Sequence, residues 1–137
     1  LPAAGYINTE YGFYLEPGAW NYDETYPNVL KLTNGEYYLT ICYENVSESN
    51  VCRTGLPAGD WASGGFFSIL GSNFSKDLIV YQNKIKVASY GAGPIVLNGL
   101  RLHIWLDSSN SNYDAIDIPD EILDQADQIL ASFGLFE

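Results

Sequence analysis

The chain has 137 residues, of which 47% are hydrophobic and 15% aromatic, a length and composition that suit one domain with its own core and exclude a disordered or low-complexity segment. Seventeen acidic residues against six Lys and Arg give a formal net charge of -11, which repels nucleic acid and anionic membrane surfaces, so no nucleic-acid partner is expected. No apolar run approaches the length of about 18 residues that a spanning helix needs, and no transmembrane segment is predicted.

The chain contains no Met, so Leu1 is expected to follow a cut or cleavage point in a longer chain. Residues 1–10 read as an N-terminal linker and edge segment in which Tyr6 to Asn8 form a short strand, and residues 11–137 as one domain. Tyr11 to Leu15 alternates as a strand with Tyr11, Phe13 and Leu15 on one side, and Pro17-Gly18 ends it. Trp20 is expected to cover the end of the core.

The stretch from Asn28 to Tyr43 organises the rest. Two runs of β-formers flank Asn34-Gly35, a pair suited to the positive φ angles of a two-residue type I′ hairpin turn. In the second arm Tyr37, Leu39, Ile41 and Tyr43 share a core face, with Tyr38, Thr40, Cys42 and Glu44 opposite. Glu44 to Asn50 is a polar loop, after which Val51-Cys52-Arg53 returns as a short strand. That geometry makes Cys42 and Cys52 a disulfide in an exported protein, stabilising by about 2 to 3 kcal/mol, or else two reduced thiols in a cytosolic one. Export is the reading preferred here.

Thr54 to Gly65 is turn-like throughout and is predicted to be irregular, with Trp61 exposed within it. Phe66 to Leu70 is an apolar strand broken by Gly71-Ser72-Asn73. Leu78 to Gln82 and Lys84 to Tyr90 make a second hairpin around Asn83. Leu100 to Asp107 alternates most cleanly, with Leu100, Leu102, Ile104 and Leu106 inward and Arg101, His103, Trp105 and Asp107 outward. After the polar loop from Ser108 to Asp114 the period turns helical. From Pro119 to Phe133, Ile122, Ala126, Ile129, Leu130 and Phe133 form one stripe, Asp120 and Glu121 complement the helix dipole, and Gly134 is the expected stop.

These elements predict an α+β fold, an antiparallel sheet of about six or seven strands with the C-terminal α-helix packed on one face. The strand from Tyr11 leading to Pro17-Gly18-Ala19-Trp20, together with the closing helix that begins Ile118-Pro119-Asp120-Glu121 and ends Gln128-Ile129-Leu130-Ala131-Ser132-Phe133, resembles the PsbP-like superfamily. That group contains the extrinsic protein of oxygen-evolving photosystem II and exported bacterial lipoprotein domains. The resemblance implies a PsbP-like sandwich, an extracytoplasmic location (periplasmic, cell-surface or secreted) and a non-catalytic accessory or binding role in a cell-envelope or membrane-associated assembly, with a protein partner and no cofactor. Such folds usually carry more helices than the single one read here, and the resemblance carries no residue role across.

Among chemistry-bearing residues, His103 is the only histidine, and neither a metal-ligand spacing nor a Gly-x-Ser-x-Gly elbow accompanies it. A small hydrolase built around His103 is therefore the weakest alternative, and the chain is read as a non-enzyme. Lys84, Lys86, Arg101 and His103 all fall on positions read as outward. They form a basic patch for an acidic partner if their strands are neighbours, or ordinary cross-strand ion pairs with Glu44, Asp107 and similar residues. Trp61, Trp105 and surface tyrosines offer an aromatic surface, which raises a carbohydrate-binding module as an alternative, although aromatics more often fill a core. Asp107, Asp114, Asp117 and Asp120 are candidate calcium ligands, but they lack EF-hand spacing and read equally as a solvated acidic face. Asn45-Val46-Ser47 and Asn73-Phe74-Ser75 are glycosylation sequons in a secreting eukaryote.

Overall fold

The computed structural model describes residues 5–24, 26–45, 59–91 and 99–135. Ten strands and one α-helix lie among them. The main sheet has seven strands: β3 (Asn21–Asp23), β4 (Val29–Thr33), β5 (Tyr37–Asn45), β6 (Asp60–Ile69), β7 (Ser72–Tyr81), β8 (Lys84–Tyr90) and β9 (Leu100–Ser108). Their spatial order is β3-β4-β5-β9-β8-β7-β6, and each neighbouring pair is antiparallel. A second, three-stranded sheet is built from β1 (Tyr6–Asn8), β2 (Phe13–Leu15) and β10 (Gly134–Leu135) in the order β1-β2-β10.

The alternation in β9 is reproduced residue by residue. Leu100, Leu102, Ile104 and Leu106 are buried, and Arg101, His103, Trp105 and Asp107 lie on the other face. Cross-strand register carries the inward set to Leu39, Ile41 and Tyr43 of β5 and to Ala88 and Tyr90 of β8. Against this inner face lies α1 (Asp120–Ala131), whose Ile122, Leu123, Ala126, Ile129 and Leu130 are buried. A period of 3.6 puts those five side chains on one stripe, which is why this segment can close the sheet. The α+β expectation of an antiparallel sheet with the C-terminal helix on one face is thus met in its coarse form.

Four local expectations need correction. Asn34-Gly35 does not form a two-residue turn: Thr33 pairs with Tyr38, so the connection has four residues, and only Gly35 of the expected pair has positive φ, at 100°. The Asn34 side chain closes that loop itself, its Oδ1 accepting from the backbone N–H groups of Glu36 (3.0 Å) and Tyr37 (2.9 Å). Positive φ at both turn positions, the requirement of type I′, occurs instead at Leu70-Gly71 (53° and 77°) and Gln82-Asn83 (53° and 62°), where Ile69 pairs with Ser72 and Tyr81 with Lys84. Ser72 and Asn73 accordingly start β7 rather than breaking the sheet.

Next, residues 60–65 of the stretch read as irregular are the first part of β6. Its glycines serve a bulge between Ser63 and Phe66, with Gly65 at φ 88°. Third, β3 and the second sheet were not anticipated, and Gly134 is part of β10 instead of a left-handed helix stop; the helix ends on Ser132, whose N–H meets the Ile129 and Leu130 carbonyls. Finally, Pro119 is the residue before the first helical turn, in extended conformation. The expected strand from Val51 to Arg53 lies outside the described residues.

The two sheets share one core. Phe13 is fully buried, stacks on Phe133 at 5.0 Å between ring centroids, and meets Tyr43 edge-on at 5.0 Å. Aromatic side chains thus join the small sheet, the helix end and the main sheet.

Candidate binding face

The face of the main sheet opposite α1 is the outer face. Cross-strand register runs Trp61, Ile79, Val87, Asp107, Tyr38 and Thr33 across it in one row, and Ser63, Asp77, Ser89, Trp105, Thr40 and Lys31 in the next. Trp61 is 56% exposed and Phe66, further along β6 on the same face, is 76% exposed. A strand that presents Phe66 and Phe67 in succession has to turn one ring away from the core, and here Phe67 packs inward against Tyr90 at 5.7 Å between centroids. Among the described residues β6 is an edge strand, hydrogen-bonded to β7 alone.

Arg101 and His103 lie together on this face, held by Glu44 in the cross-strand pairing expected as the alternative to a basic patch. Glu44 is only 1% exposed, and its Oε1 stands 3.2 Å from His103 Nε2 and 3.6 Å from Arg101 Nη1. Arg101 is the direct cross-strand partner of Glu44 and His103 that of Cys42. Trp105 is partly covered between Thr40 and Ser89.

Lys84 and Lys86 are not part of this group, which overturns the four-residue basic patch. Ala88 and Tyr90 pair in register with the buried Leu106 and Ile104, and Lys86 alternates with them, so its side of β8 faces the core; the register with β7 shifts past Lys86, and Lys84 pairs with Tyr81. Lys86 is 1% exposed; its Nζ donates to the backbone carbonyls of Tyr113 (2.7 Å) and Ile116 (2.9 Å) and sits 4.8 Å from the centre of the Tyr113 ring. Lys84 Nζ donates to the Asp114 carbonyl at 2.9 Å. Both lysines tie β8 to the 3₁₀ segment Tyr113–Ala115 that leads into the helix.

The four aspartates do not converge either. Asp107 is on the outer face, where burial raises its carboxyl above the ordinary value and the Lys31 ammonium opposes that rise. Asp117 Oδ1 accepts from the Ile85 N–H at 3.0 Å, and Asp120 opens the helix. Among the described residues no group of three or more His, Cys, Asp or Glu side chains could hold a metal ion. Cys42 is buried, while Cys52, its expected disulfide partner, lies outside the described residues. No helix among the described residues is long and apolar enough to cross a membrane.

One further ionic group on the inner face escaped the sequence reading. Lys76 Nζ reaches Asp127 Oδ2 on α1 at 2.8 Å, and the Tyr90 hydroxyl donates a short hydrogen bond to Asp127 Oδ1. Burial, followed by that carboxylate, pushes the Tyr90 phenol well above its usual range. No family model matches the chain, and the comparisons found no curated protein and no solved structure similar to it.

Proposed function

We propose that this chain is an exported, non-catalytic binding domain that engages a protein partner of a cell-envelope or membrane-associated assembly through the β6 edge and the outer face beside it. The observation that carries the reading is the placement of Trp61 and Phe66, two large apolar side chains left in solvent on an edge strand. An edge with free backbone groups accepts an added strand, and aromatic anchors beside it supply the buried contact that such an addition needs. The absence of a catalytic reading rests on His103: its ring meets Glu44, and the neighbouring sulfur, Cys42, is the one we assign to a disulfide. The extracytoplasmic location rests on that disulfide and on the PsbP-like resemblance.

The test uses a photo-crosslinking residue placed at Ser63, outward on β6, with a control at Asp124 on the exposed side of α1. In the native source, a single stoichiometric protein adduct from position 63, absent from position 124 and lost in Trp61→Ala/Phe66→Ser, is the expected result. Equal adducts from both positions, or an adduct indifferent to the double substitution, sinks the proposal.

The carbohydrate reading keeps one favourable observation, the exposure of Trp61. Trp61 and Trp105 share the outer face, but β7 and β8 run between their strands. Three inter-strand spacings put them roughly 14 Å apart, too far to clasp one sugar ring. Sugar-dependent quenching of Trp fluorescence with no protein adduct would move the assignment to this alternative.

A further inference from the structure

At the end of the molecule where the small sheet meets the main one, a cleft of about 330 Å³ opens between the loop after β1 and the segment joining β3 to β4. Its floor is made by Tyr6 and Tyr43, both buried, and its walls include Tyr11, Tyr26, Glu10 and Glu24. Two amides hold the phenols in place. Asn8 Nδ2 donates to the Tyr6 hydroxyl (2.9 Å) and the Tyr43 hydroxyl (3.1 Å), while Asn28 Nδ2 donates to the Tyr11 hydroxyl (2.7 Å) and the Tyr43 carbonyl (2.8 Å). Asn28 reaches both from a left-handed backbone, φ 64°, a conformation that Asn tolerates better than most residues.

The lining decides the sign of the ligand. Among the described residues no Lys, Arg or His borders the cleft, whereas two carboxylates do, so an anion meets their repulsion. The fields of Glu24 and Glu10 are felt inside it: after burial, they help to raise the Tyr43 phenol above its ordinary value. A bare metal ion is a poor match, because the described residues contain no cluster of three ligating side chains and the space equals roughly ten water molecules at about 30 Å³ each. Carboxylates beside hydroxyl and amide oxygens, all of them acceptors, suit a larger cation that carries donors and no acceptors.

We infer that this cleft binds an organic ammonium group, its charge set against Glu10 and Glu24 and its N–H groups toward the tyrosine hydroxyls. The group is either a free amine or a lysine side chain of another protein, and the chemistry of recognition is the same. The site lies apart from the β6 edge and does not depend on the binding role proposed for it.

Calorimetric titration and amide NMR on the intact chain, with n-butylammonium, Nα-acetyl-lysine amide and methyl glucoside as probes, test this. Both ammonium probes are expected to bind and to shift the resonances of Asn8, Tyr11 and Asn28, with methyl glucoside at least about tenfold weaker. Glu10→Gln/Glu24→Gln, which changes two exposed side chains and leaves the core intact, is expected to weaken both ammonium probes by about tenfold or more, the cost of roughly 1.4 kcal/mol. A lysine amide that binds more tightly than butylammonium identifies a protein source, and equal binding a free amine. Equal affinity for methyl glucoside, no binding of either ammonium probe, or ammonium binding untouched by the double substitution overturns the inference.

Discussion

The two faces of the seven-stranded sheet both hold buried charge, and they attach it to different things. On the inner face Lys86 and Lys76 reach off the sheet, to the carbonyls of Tyr113 and Ile116 and to Asp127 on the helix. On the outer face Glu44 reaches along the sheet, to Arg101 and His103 on the strand it already pairs with. Inner-face charges therefore fix how one layer sits on another, which backbone hydrogen bonding between strands cannot do. Outer-face charges add to a pairing that nine matched residue pairs between β5 and β9 already define. The outer face buries Thr40, Cys42, Ile79 and Val87 as well, and its most exposed aromatics, Trp61 and Phe66, sit on the edge strand β6.

The largest expected effect is on the inner side, where the small sheet closes the core. Phe13→Ala removes a fully buried ring wedged between Phe133 and Tyr43, and a loss of about 3 to 5 kcal/mol in urea unfolding is expected. A loss under about 1 kcal/mol would mean that the small sheet is not part of the same cooperative unit.

Lys86→Met sharpens the comparison further. The apolar stem keeps the volume of the site, but the buried Ile116 carbonyl and the partly buried Tyr113 carbonyl lose the ammonium donor, so stability is expected to fall by about 1 to 3 kcal/mol with the denaturant slope unchanged. An opposite sign, a more stable Met variant, would show that desolvating the ammonium outweighs its hydrogen bonds and would break the assignment of Lys86 as a tie between layers. Asp127→Asn is expected to cost less, about 1 kcal/mol. Its side chain remains partly exposed at 24%, so the ion pair with Lys76 is screened, and the amide oxygen still accepts from Tyr90.

What the sequence displayed and what it hid divide along the same line. The inner face was legible because strict alternation in residues 100–107 and a 3.6 period in residues 120–131 leave one arrangement that buries both apolar sets. Lys86 misled because alternation alone does not say which side of a strand is buried, and a lysine is the usual mark of an outward position. Ala88 and Tyr90 on the same side were the counter-signal. Residues 60–65 hid a strand because their glycines, the usual sign of a loop, here serve a bulge. Asn34-Gly35 carried the dipeptide of a tight turn, but Asn34 used its side chain for an Asx closure that the dipeptide does not announce. The tyrosine cleft was beyond reach for a different reason. Its members come from residues 6 to 11, 24 to 28 and 43, brought together by the meeting of two sheets, only one of which was foreseen.

The smallest effect tests the outer face through pH. Burial raises the Asp107 carboxyl above its ordinary value, more than the Lys31 ammonium lowers it. The folded state therefore holds that proton more firmly than the unfolded chain does, so between the ordinary carboxylate value and the higher folded one it binds more protons. Stability contributed by this group is present at low pH and declines as pH rises through that window, because the charge that forms is poorly solvated. Asp107→Asn removes the titration while preserving the shape. The midpoint of thermal unfolding is then expected to match the parent chain near pH 3 and to exceed it at pH 7, by a margin smaller than any of the losses above. If the variant is instead less stable at pH 7, the Lys31 contact outweighs burial, and the outer face, like the inner one, depends on its ion pairs.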